Sequence, residues 1–147
     1  MAMRSKVFTY HAELRWEGGH NAAVSSGSRP ELPVSPPEDF PGGEDERWSP
    51  EHLYLAAMES CTMLSFLAHC SHHDLEVREY SAATSGSIER READHRYAFS
   101  HVEMEVRARM APGQAAAAQA LTGKAERDCF ITASTTAAVA HHWIITE

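Results

Sequence analysis

Hydrophobic and polar residues alternate strictly near the start of the chain, over residues 7–16. One face carries apolar side chains and the other polar ones, the apolar set being Phe8, Tyr10, Ala12, Leu14 and Trp16. This period of two predicts a half-buried antiparallel strand. The Gly18-Gly19 pair supplies a turn, after which residues 22–27 can return as a second strand. Residues 31–35 predict a short third strand, kept at a sheet edge by its proline.

A long helix is predicted after a loop over residues 36–48 that is rich in Pro, Gly and acidic residues. Ser49 is a good N-cap, Pro50 suits the first helical position, and Glu51 places an acid in the first turn. The helix is expected to run to about Ser71, with apolar residues almost all round: Leu53, Leu55, Met58, Cys61, Met63, Leu64, Phe66 and Leu67. A helix of this kind must be enclosed by its domain or by a partner subunit. A domain this small favours an oligomer.

The rest of the chain alternates between strand and helix patterns. The patterns predict strands over 75–90 and 97–110 with a bulge near Ser100-His101. They also predict a helix after Pro112-Gly113 up to about Arg127, a second helical piece over 130–140 and a last strand over 142–145. Together these elements predict an α+β fold. No composition break divides the chain, so one domain over residues 1–147 is expected.

Composition excludes some classes of partner. The 147 residues include 43% hydrophobic ones, enough for a real core, and the net charge is -8. Because 13 basic residues are scattered among 21 acidic ones, a nucleic-acid partner is not expected. We also expect no membrane span, since no apolar stretch looks long enough, and no signal peptide at the N-terminus. A cytoplasmic protein is predicted, in which structural disulfides are rare.

Three cysteines without a CxxC pair leave two interpretations. Cys61 lies mid-helix, where it is either a small buried hydrophobe or a reactive thiol. Cys70 lies nine residues further on, on the opposite helix face, and cannot bond to Cys61 within one helix. Cys129 follows a helix where the chain turns, so a tertiary contact with Cys61 is possible. Such a pair could cycle between dithiol and disulfide.

The histidines that end the long helix and the aromatic residues before it are further candidate site residues. The segment that ends the long helix has two histidines at helical spacing for one metal, too few for a site, so neither a metal nor a cofactor is expected; its polar residues are His69, His72, His73 and Asp74. Trp48 and Phe40 either line an entrance for an apolar substrate or pack within their loop.

Two segments carry a family resemblance. The run WSPEHLYLAAMESC over residues 48–61, followed by AERDC over 125–129, resembles the OsmC/Ohr family of osmotically inducible and organic hydroperoxide resistance proteins. Glu51 and Cys61 keep the family's ten-residue spacing, and Cys129 occupies the second cysteine position. The Trp-x-Gly-Gly opening and the loop PPEDFPGG also look like members of this family, so the resemblance covers nearly the whole chain.

This resemblance implies an OsmC-like fold of antiparallel sheets with a long buried central helix, assembled as an intertwined homodimer. It also implies a thiol peroxidase that reduces organic hydroperoxides. Cys61 would form a sulfenic acid, Cys129 would condense with it to a disulfide, and an external dithiol would reset the enzyme. Glu51 would help to orient an activating cation.

One position departs from the family pattern. The family's peroxidases place an Arg near the first hairpin, whereas this chain has His20 there. Arg15 and Arg29 are possible substitutes, and His20 is either a general base or an exposed turn residue. Glu51 lies about 15 Å from Cys61 along a straight helix, so it would act through a long cation or from the partner subunit, unless it only complements the helix dipole. Two alternatives therefore stay open: a dimer that binds a small ligand, and a redox-responsive protein without efficient turnover.

Overall fold

The computed structural model describes residues 5–147, so the first four residues of the predicted domain lie outside the described residues. The contacts within the chain define two compact units, Met1–Leu53 and Tyr54–Glu147. Whether these units make one folding domain, as the sequence predicts, stays a prediction.

The unit that ends at Leu53 contains an antiparallel sheet in the order β1-β2-β3. Its strands are β1 (Glu13–Gly18), β2 (Asn21–Ser25) and β3 (Leu32–Val34). The strand predicted over residues 7–16 was therefore wrong at its start, although its alternation is real. In the register of the hairpin Glu13 pairs with Ser25, the last residue of β2. Residues 7–12 thus have no partner strand among the described residues, and Phe8 and Tyr10 are exposed.

Helix α1 spans Pro50–His72, and its start is confirmed: the backbone N–H of His52 donates to the side chain of Ser49 at 3.2 Å. Its 23 residues are long and apolar enough to cross a membrane by length and composition alone, so the expectation that no stretch reaches this length was wrong. Within Tyr54–Glu147 the helix buries one stripe at a spacing of four residues, made of Met58, Thr62, Phe66 and Cys70. Residues of the same chain therefore cover one face of α1. On another face of the helix, Leu64 is 61% exposed.

The second sheet, in the unit Tyr54–Glu147, has the order β4-β5-β6. Its strands are β4 (Val77–Arg90), β5 (Tyr97–Met110) and β6 (Ala138–Thr146). The predicted bulge is confirmed, because Ser87 pairs with His101 while Ile88 pairs with Phe99. The expectation of purely antiparallel sheets was wrong, because β5 and β6 run parallel. The last strand also starts earlier than predicted, since its pairing with β5 begins at Ala138.

Three short helices connect β5 to β6: α2 (Ala115–Gln119), α3 (Thr122–Arg127) and α4 (Phe130–Ala133). The single helix predicted up to Arg127 is broken, since the N–H of Leu121 bonds to the carbonyl of Ala118 and tightens the turn. The helical piece predicted over 130–140 ends at Ala133, because the chain must reach the edge of β5. These breaks place Cys129 at a helix start, which decides the geometry of the site.

The core of this unit lies between α1 and β5. Alternate residues of β5 are buried, namely Val102, Met104, Val106, Ala108 and Met110. They form two clusters, one with Met58 and one with Phe66 of α1. Every second residue of β5 and every fourth residue of α1 face this core. The shared core therefore fixes the rotation of the helix about its axis relative to the strand.

His141 on β6 is a buried titratable group with an unpartnered nitrogen. Its side chain is 4% exposed, its Nδ1 lies 3.7 Å from Glu126 Oε2, and its Nε2 is buried without a hydrogen-bond partner. Glu126 Oε1 is occupied by the Trp143 indole N–H at 2.8 Å. Burial lowers the pKa of His141; Glu126 opposes this shift and His142 adds to it.

We expect this histidine to make the free energy of unfolding depend on pH. Above its ordinary pKa of 6.5 His141 is neutral in both states, but below it the unfolded chain gains a proton that the folded chain refuses. Stability should therefore fall as the pH drops below this value. Urea denaturation at a series of pH values should show that the unfolding free energy of His141→Gln falls less steeply with decreasing pH than that of the unaltered protein. An equal dependence on pH in both proteins would contradict the prediction.

Candidate functional site

Cys61 lies on α1 with its thiol half-buried at the wall of a pocket. The pocket has a volume of about 440 Å³, and its other lining residues are Leu64, Ser65, Ala68, His69, His72, Asp128 and Phe130. Ser65 Oγ is buried without a hydrogen-bond partner. A thiol in this position is accessible to a small molecule that has an apolar part.

Cys129 is fully buried and caps the N-terminus of α4. After α3 ends at Arg127 the chain becomes extended at Cys129, with φ -72° and ψ 109°, and its sulfur takes the position that a Ser or Thr oxygen usually occupies. Thr132 donates to this sulfur twice, from its backbone N–H at 3.4 Å and from its hydroxyl at 3.1 Å. Thr62 of α1 adds a third donor at 3.6 Å.

The structure brings the two thiols together, so that each affects the ionisation of the other. Burial raises the pKa of Cys61, and the Cys129 sulfur raises it further, against the backbone N–H groups of Ile131 and Phe130. Burial also acts to raise the pKa of Cys129, but hydrogen bonds from Thr132, Thr62 and Cys61 outweigh it and bring the net pKa below its usual value. The deeper cysteine is therefore the more acidic of the two.

A charged pair lies at the same pocket. Asp128 Oδ2 is 2.8 Å from His69 Nε2, and Asp128 Oδ1 accepts from Arg127 at 2.8 Å. Arg127 and His69 lower the pKa of Asp128 to about 2, so the residue before Cys129 is a carboxylate at any physiological pH. Among residues 5–147 no group of three His, Cys, Asp or Glu side chains is arranged to hold a metal ion.

Glu51 and His20 share another pocket, which belongs to the unit that ends at Leu53. It has a volume of about 430 Å³, and it is lined by Leu14, Ala22, Val34, Ser35, Pro36, Pro37, Phe40 and Pro50 besides these two. Glu51 Oε2 is buried without a hydrogen-bond partner. Phe40 thus lines a cavity, which fits its interpretation as part of an apolar entrance. Trp48 lines a different, smaller pocket.

The two arginines considered as substitutes are engaged within their own unit. Arg15 is exposed, 3.2 Å from Glu31 and 3.7 Å from Glu17. Arg29 donates to the carbonyl of Ser26 at 3.2 Å. Neither arginine lines the pocket of Glu51 and His20. Of the three candidates His20 alone lines the same pocket as Glu51, and it is an exposed residue of the turn between β1 and β2.

Gly42 is expected to be essential for the position of the His20 ring. It has a φ of +83°, and a Cβ there would lie 2.2 Å from His20 Nδ1. Gly42→Ala should therefore displace the ring and cost about 1–2 kcal/mol of unfolding free energy through strain at positive φ. The matched control is Gly113→Ala, which has a similar φ of +80° but open space around its Cβ. NMR should show a shifted His20 imidazole in the first variant only; an unmoved ring would contradict the prediction.

Residues 43–143 match the sequence profile of OsmC-like proteins. The chain belongs to the OsmC family. No curated protein matches the sequence significantly.

Solved structures share the OsmC-like fold. An OsmC-like protein of unknown function from Vibrio cholerae has a TM-score of 0.84 at 16% identity, covering 94% of this chain and 100% of that chain. An organic hydroperoxide resistance protein from Elizabethkingia anophelis has a TM-score of 0.71 at 21% identity, with 98% and 99% covered. An organic hydroperoxide resistance protein from Legionella pneumophila has a TM-score of 0.69 at 17% identity, with 97% and 100% covered. At these low identities, the structural matches show that this OsmC-like protein shares the fold of these three proteins.

Sequence reasoning missed the threonines of this OsmC-like site. Thr132 follows Cys129 by three residues, the spacing at which an N-cap side chain meets a backbone N–H, so this contact had a local signal. Thr62 directly follows Cys61 on α1 but faces the core, and no local pattern indicates its contact with Cys129. The contact between His69 and Asp128 likewise depends on tertiary packing.

Proposed function

We propose that this OsmC-like protein is a thiol peroxidase that reduces organic hydroperoxides, with Cys61 as the peroxidatic and Cys129 as the resolving cysteine. The observation that carries the proposal is the pairing of a half-buried thiol, at the wall of a largely apolar pocket, with a second, fully buried thiol close enough to interact with it. An oxidised Cys61 would then have its resolving partner in place without a large rearrangement.

The proposed reaction begins at Cys61. The Cys61 thiolate attacks the outer oxygen of the hydroperoxide, the O–O bond breaks, and the leaving alkoxide takes a proton to become an alcohol. Cys61 is left as a sulfenic acid. The Cys129 thiolate attacks the Cys61 sulfur, and the S–S bond forms as hydroxide leaves. An external dithiol reduces this disulfide by two thiol–disulfide exchanges and is itself oxidised.

Glu51 and His20 complete the proposal. They share a pocket in the unit that ends at Leu53, and the Glu51 oxygen without a partner suits a cation or a donor. We propose that Glu51 orients the group that activates Cys61. His20 is the preferred candidate for this group, because Arg15 and Arg29 are bound to other partners. The reaction needs no metal or cofactor.

A cytoplasmic homodimer is the proposed assembly. The chain exposes a set of large apolar side chains near its N-terminus, each at least 64% exposed: Val7, Phe8, Tyr10, Leu14 and Trp16. Exposure of this kind marks an interaction surface. A second copy would cover it and also the exposed faces of α1, and sedimentation equilibrium tests the dimer. Monomers at micromolar concentration would contradict it.

Consumption of cumene hydroperoxide with a dithiol reductant tests the activity. Turnover with cumene hydroperoxide faster than with hydrogen peroxide is expected, since the pocket beside Cys61 is largely apolar. Trapping with a sulfenic-acid reagent should label Cys61. Absence of both turnover and label would exclude the peroxidase.

The raised pKa of Cys61 favours a second candidate, an OsmC-like dimer that binds a small ligand or responds to redox state without efficient turnover. A thiol that stays protonated reacts slowly. A slow Cys61–Cys129 disulfide that changes dimer behaviour, without catalytic consumption of hydroperoxide, would support this candidate.

A further inference from the structure

We propose that Cys129 is the thiolate of the reduced pair and the base that accepts the proton of Cys61, held in that state by Thr132 and Thr62 as positioning residues. The assignment of the thiolate stands on geometry alone. Its catalytic consequence rests on the proposed function.

The donors around Cys129 suit an anion. Two donors from Thr132 and one from Thr62 converge on its sulfur at 3.1–3.6 Å. A neutral thiol would instead need an acceptor for its own proton. The Met58 carbonyl lies at 4.0 Å, longer than any of the three donor contacts, and a threonine hydroxyl that accepted this proton would no longer donate to the sulfur. A buried sulfur with three donors and one distant carbonyl is arranged to be ionised.

Cys61 lacks such a set of donors. Its stabilising neighbours are the backbone N–H groups of Ile131 and Phe130, and the remaining interaction is with Cys129 itself. Among the described residues 54–147, no Lys, Arg or His side chain donates a hydrogen bond to either sulfur. Within this unit the proton of the pair therefore belongs on Cys61.

Other ionisable groups near the pair do not supply a cation. Tyr80 of β4 lies near Cys129 and Glu59, and its hydroxyl is buried without a partner. The carboxylate of Glu59, on α1, accepts a hydrogen bond from Thr84 at 2.8 Å. At the Cys61 pocket, His69 is paired with Asp128. Since the nearby acids would oppose a thiolate, the hydroxyl and amide donors must provide the stabilisation.

This arrangement gives Cys129 three successive roles. Its thiolate takes the proton of Cys61, which leaves Cys61 as the nucleophile. After the O–O bond breaks, the Cys129 thiol gives that proton to the alkoxide and becomes a thiolate again. That thiolate then attacks the Cys61 sulfur and displaces hydroxide. One proton shared between two sulfurs thus serves the whole oxidative half-reaction, in place of the arginine that the family pattern has.

Thiolate absorbance in the ultraviolet, followed against pH, tests the assignment without any hydroperoxide. All variants carry Cys70→Ala, so that only the pair is observed. Cys61→Ser should keep a thiol that ionises below the usual range, whereas Cys129→Ser should lose it. The opposite pattern, or two ordinary thiols, overturns the proposal.

The threonines are tested in the same way. Thr132→Val should move the ionisation of Cys129 upward by about one pKa unit or more, the effect of losing one hydrogen bond to a charge, and Thr62→Val should move it in the same direction. Thr132→Ser should restore it. The control is Thr122→Val, a buried threonine whose hydroxyl bonds only to the Gln119 carbonyl, and it should leave the ionisation unchanged.

The rate of Cys61 oxidation separates this inference from the proposed function. If Cys129 is the base, Cys129→Ser should slow the first oxidation of Cys61 near neutral pH, and the rate should recover as the pH rises. An unchanged rate and pH profile would leave Cys129 as a resolving thiol only and overturn its role as base. A protein that does not reduce hydroperoxides but keeps the Cys129 thiolate would contradict the proposed function and support the thiolate assignment.

Discussion

Cys61→Ser is expected to reduce hydroperoxide consumption to the background rate. The substitution replaces the sulfur that accepts the oxygen with a hydroxyl that does not undergo this oxidation. Pocket and fold should be kept, because the Cys61 side chain is half-buried and a Ser is slightly smaller. The measurement is the rate of cumene hydroperoxide loss with a dithiol reductant, at equal protein concentrations.

The other cysteines give this prediction its controls. Cys129→Ser should oxidise once and stop, so that mass spectrometry finds a sulfenic acid at Cys61 and no disulfide. Cys70→Ala removes a thiol that lies buried in the cluster around Phe66 and should keep turnover. If Cys61→Ser retained turnover while Cys70→Ala lost it, the reactive centre would have been assigned to the wrong cysteine.

Element type could be predicted from the sequence wherever the pattern is local. The cap at Ser49 and the alternation of β5 both follow from short-range rules, and the structure has both. The start of β1 could not be predicted, because the alternation over residues 7–12 says nothing about whether a partner strand exists. The parallel pairing of β6 is also a tertiary property, since a period of two fits either direction.

The site divides in the same way. Cys61 and Cys129 could be singled out from the family resemblance, and the fold brings them together. Which thiol is ionised could not be predicted, because it depends on donors from two separate elements, Thr62 on α1 and Thr132 on α4. The break of the chain into α3 and α4 creates that arrangement, since it puts Cys129 at a helix N-terminus instead of within a continuous helix.

The missing family arginine acquires a physical meaning from this geometry. A guanidinium would stabilise a thiolate on Cys61 directly, but this chain has His20 at the family's arginine position. Activation by a neighbouring thiolate needs only hydroxyl and amide donors, which are present at Cys129. Under the proposed function, oxidation of Cys61 would then need no arginine, and its rate would be set by proton transfer between the two sulfurs.

Phe66→Ala is expected to cost about 3–5 kcal/mol of unfolding free energy, the range for removing a buried aromatic ring. Phe66 is fully buried, and its ring centroid lies 5.0 Å from that of Trp143 and 6.0 Å from that of Tyr80. It thereby joins α1 to both β4 and β6. Loss of the ring leaves a cavity between three elements that cannot collapse together.

Urea denaturation measures this cost, and Phe40→Ala is the matched control. Phe40 is 61% exposed in the loop before α1, so its loss should cost about 1 kcal/mol or less. Because Phe66 also packs beside Cys70 and lies four residues from Thr62 on the buried stripe, the variant should loosen the wall behind Cys129 as well. Equal costs for the two variants would mean that α1 is not held by the contacts within Tyr54–Glu147, and that its stability comes from elsewhere.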